Sequence, residues 1–91
     1  KLTVDEGAVN ALKQKNSSLL AAGILASQGK YQRGDIVNIL DAGGVRIGCG
    51  ITNYCAADVE IIMGKHSKQI ATLLGHDSGA EVIHRNNLII L

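Results

Sequence analysis

A β-rich mixed α/β fold around a small, tightly bent barrel is what this sequence predicts, and three observations carry that expectation. Residues 36–40 and 45–52 read as two strands joined at Gly43-Gly44, a pair of residues suited to a two-residue hairpin turn. The second of these strands holds Gly48 and Gly50 in its interior and Gly44 at its mouth. Glycine weakens a strand, so its presence there marks a bulge, a barrel corner or a close backbone approach. Helical spacing is confined to short stretches, which places short helices at the periphery of the sheet.

The remaining elements follow in chain order. Leu2-Thr3-Val4 reads as a short strand, after which Asp5 is an N-cap and Glu6 a carboxylate in the first helical turn. The helix runs to about Lys15, with Ala8, Val9 and Leu12 on its apolar face and Lys13 and Lys15 in its last turn, where cations are favoured. Gly23 turns the chain into a strand at residues 24–27, and residues 28–34 form a polar connection in which Gly34 supplies a turn. The run Ile36-Val37-Asn38-Ile39-Leu40 predicts a strand buried on both faces for part of its length. Val45, Ile47, Cys49 and Ile51 alternate with Arg46, Gly48, Gly50 and Thr52, which predicts one apolar face and one small or polar face. Residues 56–63 have helical spacing, with Val59, Ile62 and Met63 as the stripe and Gly64 beyond the end. Ser67 is read as the cap of a last helix that buries Ile70, Leu73 and Leu74 and ends at Gly75. Strands at residues 82–84 and 88–91 flank the corner Arg85-Asn86-Asn87.

The chain has 91 residues, which makes one domain. A chain this short buries only about 60–65% of its unfolded surface. Its core must be built from Ile, Leu, Val and Ala, because it has no Phe, no Trp and only two Tyr. A net charge of +1, from nine basic and eight acidic residues, gives no global field for nucleic acid. No apolar run reaches the roughly 18 residues needed to span a bilayer. Cys49 and Cys55 do not make a disulfide scaffold and are read as reduced, partly buried thiols in a cytoplasmic setting. Lys1-Leu2-Thr3-Val4 lacks the apolar stretch of a signal peptide, and the chain does not open on Met, so we read it as a domain cut from a longer protein.

No catalytic or metal signature accompanies this architecture. The segment from Gly23 to Tyr31 has five residues between its glycines where a phosphate loop has four, and Tyr31 stands where Ser or Thr must meet magnesium. The two cysteines and His66, His76 and His84 match no zinc spacing. Cys49 lies mid-strand between glycines, no serine sits in a nucleophile elbow, and the carboxylates are spread over caps, turns and helix surfaces. Arg33-Gly34-Asp35 spells an adhesion tripeptide, but it is read as the start of a strand. The basic residues Lys13, Lys15, Lys30, Arg33, Arg46, Lys65, Lys68 and Arg85 are the candidates for phosphate contact, with Tyr31 and Tyr54 the only aromatic platforms for base stacking.

Arg33-Gly34-Asp35-Ile36-Val37, Asp41-Ala42-Gly43-Gly44, Ile47-Gly48-Cys49-Gly50-Ile51 and the helix ending at Gly64 resemble the PUA domain, the small β-barrel module named for pseudouridine synthases and archaeosine transglycosylases. The flanking runs Leu2-Thr3-Val4-Asp5-Glu6-Gly7-Ala8, Ser17-Ser18-Leu19-Leu20-Ala21-Ala22-Gly23-Ile24, His66-Ser67-Lys68-Gln69-Ile70 and His84-Arg85-Asn86-Asn87 resemble the PUA domain at the C-terminus of bacterial glutamate 5-kinases. The resemblance implies a PUA-like pseudobarrel with short peripheral helices over residues 1–91, and Gly34, Gly44, Gly48 and Gly50 as its structural glycines. It implies a longer cytoplasmic protein that phosphorylates the side-chain carboxylate of glutamate with ATP, the first step of proline biosynthesis. ATP and magnesium then belong to a separate N-terminal amino-acid-kinase domain, and this domain has no catalytic, cofactor or metal residues of its own. The implied partners are that kinase domain and, through the parent, further copies of the chain, with no membrane. Two roles are consistent with the resemblance: a regulatory or structural module, and a module contacting structured RNA such as transfer RNA. The RNA surface of PUA relatives would map here onto Lys13, Lys15, Ser17, Ser18, Gly23 and Arg85.

Overall fold

The chain is described over residues 1–91 by a computed structural model. Strand β1 (Leu2–Val4) leads into α1 (Glu6–Gln14), followed by β2 (Leu19–Leu20), a 3-10 turn at Ala21–Gly23 and β3 (Ile24–Ser27). The hairpin β4 (Ile36–Leu40) and β5 (Arg46–Ile51) comes next, then α2 (Ala56–Ile62), a 3-10 turn at Ser67–Gln69 and α3 (Ile70–Leu74). Strand β6 (Glu81–Ile83), a 3-10 turn at Arg85–Asn87 and β7 (Leu88–Ile90) complete it. A five-stranded sheet runs in the order β3-β1-β4-β5-β7, and β2 pairs with β6 in a second, two-stranded sheet. All pairings are antiparallel except β1 with β4.

Local chemistry explains the boundaries. Asp5 is extended, and its Oδ1 accepts the Ala8 N–H at 2.7 Å, which caps α1. The helix stops because Asn16 turns to a φ of +50°, a conformation asparagine tolerates better than most residues. The β4–β5 loop departs from the expected two-residue turn. A two-residue type I′ turn needs positive φ at both central residues, yet only Gly44 has it, at +85°. The Asp41 N–H instead bonds the Val45 carbonyl at 2.9 Å, so three residues form the loop. The Asp41 carboxylate holds that loop by accepting the N–H groups of Gly43 and Val45, each at 2.9 Å. The last helix also begins differently. His66, and not Ser67, is the cap: its Nδ1 accepts the Lys68 N–H, while the Gln69 Oε1 accepts the His66 N–H, a capping box with histidine in the serine position.

The core is one cluster of 16 buried residues, drawn from both sheets, α1, α2, α3 and both tyrosines. Only one face of β4 enters it: Val37 and Ile39 are buried, whereas Ile36 is 72% exposed. Leu73 is exposed as well, so Ile70 alone on α3 is fully buried. On β5 the expected faces are exchanged over most of the strand. Gly48 and Gly50 point inward with Ile47, while Cys49 is half-buried and Val45 and Ile51 are exposed. The irregularity between Ile39 and Leu40 shifts the pairing of β4 with β5, and alternation cannot stay in phase across such a shift.

The inward glycines are there because nothing larger fits. An ideal Cβ on Gly48 would lie 2.3 Å from the Ile89 carbonyl oxygen, and one on Gly50 would lie 2.6 Å from Ile83 Cγ2 and 2.8 Å from the Asn87 carbonyl oxygen. Gly48 meets backbone, which cannot move without breaking the β5–β7 pairing; Gly50 also meets a backbone carbonyl. Replacing Gly50 with Ala should therefore lower stability by about 1–3 kcal/mol, the usual cost of overpacking. Gly48→Ala should cost at least as much, and Gly50→Val more than Gly50→Ala. Urea titrations of the three variants check this, and unchanged midpoints would mean that β5 is not pressed against β6 and β7.

Tyr54 ties the segment between α3 and β6 to the core. Its ring is buried, its hydroxyl donates to the Gly79 carbonyl and accepts the Ser78 N–H at 3.0 Å, and Asp77 Oδ1 lies 3.2 Å away. Thr52, also buried, donates from Oγ1 to the Tyr54 carbonyl at 2.7 Å and accepts the Tyr54 N–H. Tyr31 is held by a 2.7 Å hydrogen bond between its hydroxyl and that of Ser27. Burial raises the pKa of both phenols above 10.0, against the opposing effect of the Ser78 amide at Tyr54 and of Ser27 at Tyr31. A phenol whose folded pKa lies above its unfolded value stays neutral longest in the folded state, so stability falls as pH rises through and beyond 10.0. An ultraviolet titration should find both tyrosines ionising above 10.0 in buffer and returning to 10.0 in denaturant. Ionisation of either one at the ordinary value in buffer would contradict its burial.

Candidate functional site

Three of the residues singled out in the sequence, Ser17, Ser18 and Gly23, line one groove. It lies between α1 and the chain that follows, holds about 260 Å³, and is lined by Ala8, Ala11, Leu12, Ser17, Ser18 and Gly23 among others. The groove is narrow at one end because Gly23 sits against α1: an ideal Cβ on it would lie 2.8 Å from Ala8 Cβ. The Gly23 carbonyl accepts the Asp5 N–H at 2.9 Å, which fastens the 3-10 turn to the start of the helix. At the other end Ser18 Oγ accepts the Arg85 N–H at 2.9 Å, joining segments 67 positions apart in the chain.

Ser17, Ser18 and Gly23 thus share one groove, and Arg85 is tied to it through Ser18. Lys13 and Lys15 do not line the groove; they are exposed, in the last turn and at the C-cap of α1. Arg85 is exposed and opens its own short turn, which is capped by His84 Nδ1 accepting the Asn86 N–H at 3.1 Å. The groove is mostly apolar, with its polar contribution coming from the two serines. The aromatic platforms are withdrawn from any such surface: Tyr31 and Tyr54 are 6% and 1% exposed and belong to the core.

The structural glycines separate into two kinds. Gly34 and Gly44 have φ of +95° and +85° with open space around them, so they serve turns. Gly48 and Gly50 serve the close approach already described. Each histidine is engaged locally: His66 and His84 cap turns through Nδ1, and His76 Nε2 lies 3.2 Å from Asp58 Oδ2. No group of three or more His, Cys, Asp or Glu is placed to hold a metal ion. No helix is long and apolar enough to cross a membrane.

The reading of residues missed three features. The two histidine caps carry one usable signal, the Gln three residues after His66, which completes a capping box. Strand β2 is only two residues long and has no period to detect. The third is an apolar outward face on β4, β5 and β7: β4 was read as buried on both faces for part of its length, and the alternation of β5 did not show which of its residues face solvent.

Comparison with known proteins settles the family. The PUA domain family model matches residues 1–74. The chain belongs to the PUA domain family. Its mixed, sheet-rich architecture with short helices is a PUA pseudobarrel. It superposes on a PUA domain crystal structure from Aeropyrum pernix K1 (a tartrate complex) with a TM-score of 0.64, at 23% identity, over 91% of this chain and 40% of that one. A conserved PUA domain protein from Thermoplasma acidophilum gives a TM-score of 0.60, at 25% identity, over 91% of this chain and 46% of that one. Among curated relatives, a glutamate 5-kinase of Dehalococcoides mccartyi (strain CBDB1) is 49% identical over 99% of this chain, and one of Dictyoglomus thermophilum is 47% identical over 100% of it. The chain spans about a quarter of the length of these relatives, 24% in each. It therefore matches the PUA domain of glutamate 5-kinases and not the rest of those proteins.

Lys13 and Lys15 sit on the solvent side of α1 and form no ion pair. Lys13→Ala and Lys15→Ala should therefore change stability by no more than about 0.5 kcal/mol. Ser18→Ala should cost about 1 kcal/mol, because it leaves the Arg85 N–H to water. Thermal melts of the three variants distinguish these cases, and a large loss in either lysine variant would show that the end of α1 is packed.

Proposed function

We propose that this chain is the C-terminal PUA domain of a glutamate 5-kinase and serves that enzyme as a regulatory or structural module. The observation that carries the reading is identity of 43–49% over essentially the whole domain to several glutamate 5-kinases. In this reading the parent is a cytoplasmic enzyme that transfers the terminal phosphoryl group of ATP to the side-chain carboxylate of glutamate. Its ATP, magnesium and reacting residues belong to the amino-acid-kinase domain of the same polypeptide. In this reading the domain itself contributes no catalytic group. Residues 1–91 form one unit in this reading, acting through contact with the kinase domain and through the oligomer of the parent.

The test is the kinase with and without this segment. Removing it should alter at least one of three properties: glutamate and ATP kinetics, inhibition by proline, or oligomeric state. A truncated enzyme identical in all three would sink the regulatory or structural reading.

A second reading, contact with structured RNA, is favoured by one observation: the Ser18–Arg85 hydrogen bond sets a basic turn beside the groove of α1, which carries Lys13 in its last turn and Lys15 at its C-cap. Burial of both tyrosines weighs against it, since stacking supplies much of the affinity for unpaired bases. Fluorescence anisotropy with labelled transfer RNA decides between the two. Binding that falls steeply with salt, and is lost in the Lys13/Lys15/Arg85 triple alanine variant, would establish RNA contact. No binding at low salt is the outcome expected from the first reading.

A further inference from the structure

The outward face of β4, β5 and β7 carries an apolar patch for which the domain has no internal use. Ile36 is 72% exposed, Ile89 63% and Ile51 39%, and all three line one shallow groove of about 270 Å³ with half-buried Cys49. Register makes them neighbours: Ile36 is opposite Ile51 across β4 and β5, and Cys49 is opposite Ile89 across β5 and β7. The polar residues lining the groove are Asn86 and Asn87, and no charged side chain lines it. Strand β7 is also an edge of the sheet, paired on one side only. Natural edge strands are usually guarded by charge or proline, whereas here Ile89 is set on the edge. Contiguous exposed apolar surface beside an open edge marks an interaction site.

We propose that this face docks against the kinase portion of the same polypeptide, on an uncharged apolar surface of that portion; the proposal rests on reading the chain as a domain of a glutamate 5-kinase. Two arguments select that occupant. The matched relatives carry about three-quarters of their length outside this domain, since the domain accounts for 24% of each. A tethered partner presents its surface at an effective concentration that reaches the millimolar range for short linkers, whatever the dilution. A second copy gains such an advantage only where the parent has already assembled, whereas the kinase portion of the same polypeptide has it in every molecule. Nucleic acid is disfavoured because the groove offers no Lys or Arg to its phosphates. The face is also remote in kind from the groove beside α1: it shares no lining residue with it.

Cys49 reports on the patch from inside it, and Cys55, at the cap of α2, is an internal reference. Alkylation by a small maleimide is followed for each thiol by peptide mass spectrometry, in the 91-residue domain and in the full-length kinase. Cys49 should react at least about tenfold more slowly in the kinase, the ratio that corresponds to a docking free energy of about 1.4 kcal/mol. The paired substitution Ile36→Lys and Ile89→Lys in the kinase should restore the rate found in the isolated domain. Equal Cys49 rates in domain and kinase would overturn the proposal without need of any variant. Protection that grows with the concentration of the isolated domain would replace the proposal with self-association. Protection seen only with added transfer RNA would assign the face to RNA. Kinase assays run alongside separate the two claims: a full-length protein without glutamate-phosphorylating activity would overturn the functional reading, while the Cys49 comparison still decides docking.

Discussion

Strand β5 can lie against β6 and β7 only because Gly48 and Gly50 present hydrogen on that side. With a methyl group at either position, the Ile89 and Asn87 carbonyls or the Ile83 side chain would have to retreat. The consequences spread from that contact. Once β5 and β7 pair, Ile83 drops over Gly50 and becomes fully buried, and β6 is held at the height where it pairs with β2. Pairing of β2 with β6 in turn brings Ser18 to the Arg85 N–H, which shapes one end of the groove beside α1. A chain without Phe or Trp fills its interior by bringing backbones close together, and not by interposing large rings. Gly23 against Ala8 follows the same logic at the other end of the groove.

Tyr54 complements this packing with polar closure. A 91-residue chain has limited apolar area to bury, so the segment between α3 and β6, rich in small and polar residues, needs another anchor. One buried hydroxyl supplies it by meeting the Ser78 amide and the Gly79 carbonyl together. No buried side-chain nitrogen or oxygen is left without a partner, so the polar interior is fully satisfied. That accounting also removes the tyrosines from the surface chemistry: a phenol that closes the core cannot stack on a base.

The parts of the fold that were legible in the sequence are those with a local cause. Asp5 as a cap, the extents of α1, β4 and β5 to within a residue or so, and the marking of Gly48 and Gly50 all follow from side-chain chemistry or from the cost of glycine in a strand. Three features were not legible because their cause is distant. The side of β5 that faces inward is set by the pairing shift between Ile39 and Leu40, so the alternation of Val45, Ile47, Cys49 and Ile51 pointed to the wrong face. The exposure of Ile36 was marked only by Asn38, which shares its face two residues on; four apolar residues around one asparagine read as a strand buried on both faces. Strand β2 exists only because β6 is there to pair with it. Of the candidate site, Ser17, Ser18 and Gly23 line one groove and Arg85 is bonded to Ser18, a link that crosses most of the chain and that no local pattern encodes.

The domain thus presents two surfaces of different chemistry. The groove beside α1 is apolar within, with cationic residues at the end of the helix and serines on its wall; the groove on the β4–β5–β7 face has no charged lining residue, and the cation nearest to it in the sheet, Arg46, is held by Asn38 Oδ1 at 3.0 Å. The first carries few cations, and the net charge of the whole chain is +1, so attraction to a polyanion has little charge to draw on. The second offers desolvation, which salt does not screen and which gains most when the partner is already tethered nearby. A domain that has buried its aromatics, kept its net charge near neutral and left Ile36, Ile51 and Ile89 exposed on one face is better suited to lie against protein than to hold a polyanion. Its physical chemistry is thus compatible with the kinase portion as partner, the occupant that its relatedness to glutamate 5-kinases suggests.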